Sequence, residues 1–179
     1  MKVTVIYGSP RAKSNSAALA DHFVSQLEKK GADVSRYYLN KMKYRGCQGC
    51  MACKSGSERC VLNDDLSPAL DGMKDTDVLV LASAVYYGDV TAQMKGFIDR
   101  VYSFLVPEFW TKKEPSRLPH GKKLVFVLTQ GDVEKMYDDI YGRYNSLISK
   151  HGFDESHLLR VWEISQDQNV LDRKDVLQA

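Results

Sequence analysis

Four cysteines fall within fourteen residues, Cys47, Cys50, Cys53 and Cys60, and they are all the cysteine the chain has. Their spacing is C-x2-C-x2-C-x6-C. Thiolates three residues apart can point at one centre, and a fourth from a following loop can close it, which is how iron–sulfur clusters are held. A 4Fe-4S cluster is the leading reading, and two others stand beside it. The thiols can pack beside another redox group or form a reversible disulfide. They can also hold zinc, although structural zinc usually takes two separated C-x2-C pairs, and here one pair overlaps a third cysteine.

A second chemical feature precedes them. The apolar run of residues 2–7 leads into Gly8-Ser9-Pro10-Arg11 and then Ser14-Asn15-Ser16. Gly8 permits a tight turn. Ser9, Ser14, Asn15 and Ser16 supply short polar side chains, and Arg11 can add a charge-assisted bond. A helix starting near Asn15 offers free N–H groups and a positive dipole end, an anion site. Neither G-x-x-x-x-G-K-[ST] nor G-x-G-x-x-G is present, which excludes two nucleotide-binding modes and leaves a monophosphate such as FMN. The plainer alternative is a helix cap that binds nothing.

The elements that must position these residues alternate. Strands are expected at residues 2–7, 33–39, 77–83, 122–128 and 157–164. Helices are expected from Asn15 to Lys30, in a short stretch before Met73 capped by Asp64-Asp65, from Thr91 to Phe104 and from Glu134 to Lys150, with a short helix in the tail. Met94, Phe97, Ile98 and Val101 share one face of the third helix and read as core. Residues 105–121 hold three prolines and no clear period, and read as an insertion loop. Such alternation predicts one α/β domain over residues 1–179, with helices on both faces of a five-stranded parallel sheet in the flavodoxin-like order 2-1-3-4-5. Ligands of such sheets sit beyond the carboxyl ends of the strands. Residues 8–16, 84–90 and 129–133 should therefore line one site, which adds Thr129, Gln130 and Gly131 by topology.

Bulk properties narrow the setting. The 179 residues are 44% apolar with a net charge of +2, which argues against nucleic-acid or membrane partners. The amino-terminal apolar run is short and lacks a cleavage signal. A cytoplasmic protein is expected, in a compartment where clustered cysteines serve as ligands or redox groups. His22, His120, His151 and His157 are scattered. Lys112, Lys113 and Arg117 read as a solvated loop, with attraction of nicotinamide phosphates as the sharper alternative.

The residues also carry a resemblance. Gly8 to Arg11 with Ser14 to Ser16 resembles the flavin phosphate loop of the NADPH-dependent FMN reductase and NAD(P)H dehydrogenase-like group of the flavodoxin-like superfamily. Val85 to Lys95, continuing to Phe97-Ile98-Asp99-Arg100, is similar to that group's second signature. The cysteine segment at 43–62 resembles the iron–sulfur flavoproteins, a branch with a C-x2-C-x2-C-x4–7-C motif. The resemblance covers residues 1 to 103. It implies FMN bound at the segment Ala84 to Asp89, with Val85, Tyr86, Tyr87 and Gly88 along the isoalloxazine, and NAD(P)H as transient co-substrate. It also implies a homodimer or homotetramer. Ala84 stands where the group commonly has proline. Asp99-Arg100 reads as a structural ion pair or a subunit contact.

The expected function is an FMN-dependent oxidoreductase passing electrons to a small acceptor such as a quinone, a flavin or an oxygen species. A ferredoxin-type redox protein is a second expected partner. The alternatives are a non-enzymatic flavin and iron–sulfur electron carrier, and a metal-binding or redox-sensing module.

Overall fold

The computed structural model describes residues 1–177. Six strands are present: β1 (Lys2–Tyr7), β2 (Asp33–Tyr38), β3 (Val78–Tyr86), β4 (Asp89–Val90), β5 (Lys122–Thr129) and β6 (Phe153–Val161). Five of them form a parallel sheet in the order β2-β1-β3-β5-β6. This is the expected order, with the short β4 added as an antiparallel partner of β3. The helices are α1 (Asn15–Glu28), α2 (Ala52–Ser55), α3 (Ser67–Asp71), α4 (Ala92–Val101), α5 (Asp139–Ile148) and α6 (Lys174–Leu177).

Side chains of a strand alternate between faces, so each central strand feeds two cores. Ile6, Leu79, Leu81 and Phe126 pack with Met94 and Phe97 of α4 and Ile140 and Tyr144 of α5. Val5, Val80 and Val127 pack with Leu19, Ala20 and Val24 of α1. Residues 78–82 are buried on both faces, as a central parallel strand requires.

Several boundaries differ from the sequence expectation. Strand β3 runs on to Tyr86 because its last two residues pair with β4. Helix α5 starts at Asp139 rather than Glu134, and β6 spans Phe153–Val161 rather than 157–164. Asp64 is not a helix cap: α3 begins at Ser67 without a side-chain cap, and the Asp64 carboxylate pairs with buried Arg100. The insertion is pinned: the Arg117 guanidinium donates to the carbonyls of Ser103, Leu105 and Cys53, so these donors hold the fold together.

Candidate functional site

Two short contacts fix the phosphate loop. The Gly8 N–H donates to the Ala82 carbonyl at 2.8 Å, and the Gly8 carbonyl accepts from Thr91 Oγ1 at 2.6 Å. A Cβ at Gly8 would lie 2.7 Å from Met94 Cβ, so only glycine lets the loop lie against α4. Thr91 also caps α4 through the Met94 N–H. Ser14 caps α1 by accepting from the Ala17 N–H, which leaves the N–H groups ahead of it free for an anion.

One cleft, of about 100 Å³, opens at the carboxyl ends of β1, β3 and β5. Ser9, Arg11, Ser14 and Asn15 line it from the phosphate loop; Ala84, Val85 and Tyr86 line it from β3. Thr129, Gln130 and Gly131 line it from the end of β5. Its last wall is Ile164, Ser165 and Gln166, which return over the loop after β6. The Asn15 amide donates to the Ser165 carbonyl at 3.1 Å, and Arg11 donates to the Gln166 carbonyl at 3.2 Å.

The cysteines form a separate centre. All four line one cavity, together with Arg100, Tyr102 and Ser103. The chain is clamped on both sides of them. Arg100 donates to the Arg45 carbonyl just before Cys47 and to the Leu62 carbonyl just after Cys60. Its Nη1 also bonds both oxygens of Asp64 at 2.7 Å. Burial pushes the Asp64 carboxyl up, but hydrogen bonds from Arg100 and the Arg45 N–H more than offset this and hold it below its ordinary value. Gly49 N–H donates to Cys47 Sγ at 3.5 Å. The Lys54 ammonium, pulled down by burial, donates to the Tyr102 and Leu105 carbonyls and lies over the Tyr102 ring.

Arg100 Nε and Ser103 Oγ are buried without a hydrogen-bond partner, and both residues line the cavity of the thiols. Among the described residues no three His, Cys, Asp or Glu side chains converge closely enough to hold one metal ion. The four thiols instead line one cavity, and four cysteines are the donor set of an iron–sulfur cluster. The residues fit such a group.

The family comparison decides the class. The profile of the NADPH-dependent FMN reductase family matches residues 1–136. The chain belongs to that family. Relatives of this FMN reductase family member include an iron–sulfur flavoprotein of Archaeoglobus fulgidus. It is 38% identical over 104 residues, 58% of this chain and 47% of the relative. An FMN-dependent NADH:quinone oxidoreductase of Shewanella oneidensis is 30% identical over 129 residues, 68% of this chain and 65% of the relative. The matched stretch spans about half the length of the iron–sulfur flavoproteins it resembles. Among solved structures, the NAD(P)H:quinone oxidoreductase from Methanothermobacter marburgensis superposes with a TM-score of 0.75 at 16% identity, covering 99% of this chain and 92% of that one. The shared fold is flavodoxin-like.

Within this FMN reductase fold, the other expected site residues take different places. Ser16 is fully buried beneath the loop. Tyr87 and Gly88 both have positive φ, 49° and 82°, and form the two-residue turn between β3 and β4. That backbone suits a type I′ hairpin, whose second turn position Gly88 fills. Tyr87 stands wholly in solvent. Asp89 turns away toward α5, accepting from the Tyr144 hydroxyl and from Arg143. Burial pushes its carboxyl up, and these bonds with that from Val90 N–H outweigh it, so it stays below its ordinary value.

Gln130 lines the cleft with its polar atoms already used. Its amide nitrogen holds the Val133 and Met136 carbonyls, and its oxygen accepts from Arg160. It therefore shapes the loop after β5.

Sequence reasoning missed Ile164, Ser165, Gln166 and Ser103. Thr91 had a signal, a threonine just before an amphipathic run. Thr91 at the amino end of α4 bonds Gly8, while Asp99 and Arg100 near its carboxyl end line the cysteine cavity. A ten-residue helix spans about 15 Å.

Proposed function

We propose that this protein is an FMN-dependent oxidoreductase that takes reducing equivalents from NAD(P)H and passes them to a small acceptor such as a quinone, a flavin or an oxygen species. The observation that carries the reading is the single cleft uniting Ser9, Arg11 and Ser14 with Ala84, Val85 and Tyr86 at the carboxyl edge of the sheet. Ser9, Arg11, Ser14 and the start of α1 bind the phosphate. Backbone at 84–86 and 129–131 borders the ring, and Ile164 to Gln166 shield it from water. The relatives named as FMN-dependent enzymes support the same assignment.

The proposal extends to the cysteines. Cys47, Cys50, Cys53 and Cys60 hold a 4Fe-4S cluster, a reading supported by their common cavity, the unpartnered donors beside it and the iron–sulfur flavoprotein relatives. When bound, FMN supplies hydride chemistry and the cluster supplies one-electron transfer. The proposed relay runs either within a chain or across a subunit boundary in a homodimer or homotetramer. Exposed Tyr86, Tyr87, Val133 and Met136 beside the cleft offer apolar surface for that contact. The proposed compartment is the cytoplasm; among the described residues no helix is long and apolar enough to cross a membrane.

The test is steady-state oxidation of NADH and NADPH by the FMN-loaded protein under anaerobic conditions, with a naphthoquinone or free FMN as acceptor. Turnover with a small acceptor is expected. Turnover only when a ferredoxin-type protein is added would replace the enzyme reading with that of an electron carrier.

A further inference from the structure

Arg100 lies buried in the last turn of α4, and Ser103 follows in the 3-10 turn Tyr102–Phe104. Three residues apart, they share one side of the helical path. Both are almost fully buried, at 1% and 4% exposure. The Nη atoms of Arg100 are spent on Asp64 and on the Arg45 and Leu62 carbonyls. Arg100 Nε and Ser103 Oγ are left without a partner. A buried donor without an acceptor is costly, and a pair of them on one wall calls for an acceptor there. Both residues line the cysteine cavity, whose surface is mainly apolar, and both also line the adjoining cavity of Arg59 and Asp71.

We propose that Arg100 Nε–H and Ser103 Oγ–H donate to sulfur atoms at this centre and thereby set its reduction potential. The inference rests on the reading that the four cysteines hold a 4Fe-4S cluster. One-electron reduction adds a negative charge to a sulfur-rich group, and hydrogen-bond donors stabilise the more negative state more strongly, so each bond raises the potential. The guanidinium charge is itself balanced by Asp64 at 2.7 Å. The lever is therefore the pair of directed bonds rather than a net charge, and the apolar walls keep water from screening them. Arg100 thus has two tasks: its Nη atoms clamp the two ends of the cysteine segment, and its Nε addresses what the segment holds.

The experiment is anaerobic reconstitution of wild type and Ser103→Ala, with iron and sulfide analysis, followed by a dithionite titration read by EPR. Ser103→Ala is expected to load like wild type. At a fixed potential its reduced-to-oxidised ratio should fall about threefold to tenfold, tenfold being about 59 mV for one electron. Ser103→Thr keeps the hydroxyl and should restore the wild-type midpoint. Arg100→Lys keeps a cation for Asp64, removes Nε–H and should move the midpoint the same way; where it does not fold, the Ser103 variants decide. A fully loaded Ser103→Ala protein with the wild-type midpoint overturns the proposal. A wild-type protein that takes up neither iron nor sulfide overturns the cluster reading itself, and the inference falls with it.

Discussion

Asn15 Oδ1 accepts a hydrogen bond from the Val170 N–H at 3.0 Å, so the first residue of α1 holds a segment 155 positions later in the chain. Its amide nitrogen holds the same segment at Ser165. The phosphate loop is therefore closed from above by the polypeptide after β6. Asn15→Ala should cost about 1–3 kcal/mol of stability in urea unfolding, because it strands a part-buried backbone N–H and a carbonyl. It should also weaken FMN by about tenfold. An unchanged unfolding midpoint would show that the closure does not depend on Asn15.

Arg11 touches the same segment through one Nη, leaving its other donors for a phosphate. Losing one charge-assisted bond costs about 1.5–3 kcal/mol, so Arg11→Ala should weaken FMN by one to two orders of magnitude in a fluorescence titration. Wild-type affinity in that variant would remove Arg11 from the site.

The hairpin at Tyr87-Gly88 yields a paired test. Gly88 has φ of 82° and a Cβ there would stand 3.4 Å from Tyr137. Gly88→Val should destabilise the protein by about 2 kcal/mol, since a β-branched residue resists this conformation. Gly88→Asn should cost under about 1 kcal/mol, because asparagine tolerates it. Equal losses in thermal unfolding would mean that the turn conformation is not what selects glycine.

The contrast between legible and hidden parts follows from range. The apolar runs at 2–7, 78–82 and 124–128 announce their strands because burial on both faces leaves no other pattern. The phosphate loop was readable because its anion chemistry is local to residues 8–16. β4 was hidden because Tyr87 at positive φ is not a usual hairpin signal. The wall at 164–166 was hidden because nothing local marks it; its partners Arg11 and Asn15 lie 155 and 150 positions away. Arg100 looked like a partner of neighbouring Asp99, yet Asp99 pairs with Lys95 on the helix surface. Arg100 turns inward to Asp64, a choice that depends on the tertiary path of the cysteine segment.

His151 supplies the pH dependence. Burial first, then the nearby Lys54 and Lys150 charges, lower its pKa from 6.5 to about 4. Between those values the unfolded chain binds the extra proton, so stability falls as pH drops through this window and is complete above 6.5. The full difference is on the order of 3 kcal/mol. His151→Phe should flatten this acid limb in urea unfolding compared at pH 7 and at pH 4.5. Parallel acid losses in both proteins would contradict the assignment.

One chain is expected to carry a flavin at the carboxyl edge of the sheet and a cluster in the cysteine cavity. The direct measurement is the anaerobic absorbance spectrum of the purified protein with flavin, iron and sulfide counts. The expected result is FMN together with iron and sulfide matching one 4Fe-4S cluster per chain, with cluster absorbance lost in Cys50→Ala and flavin retained. Bound FAD, or no flavin, would contradict the cleft assignment. FMN without iron or sulfide after reconstitution would leave Cys47, Cys50, Cys53 and Cys60 to structure or thiol chemistry.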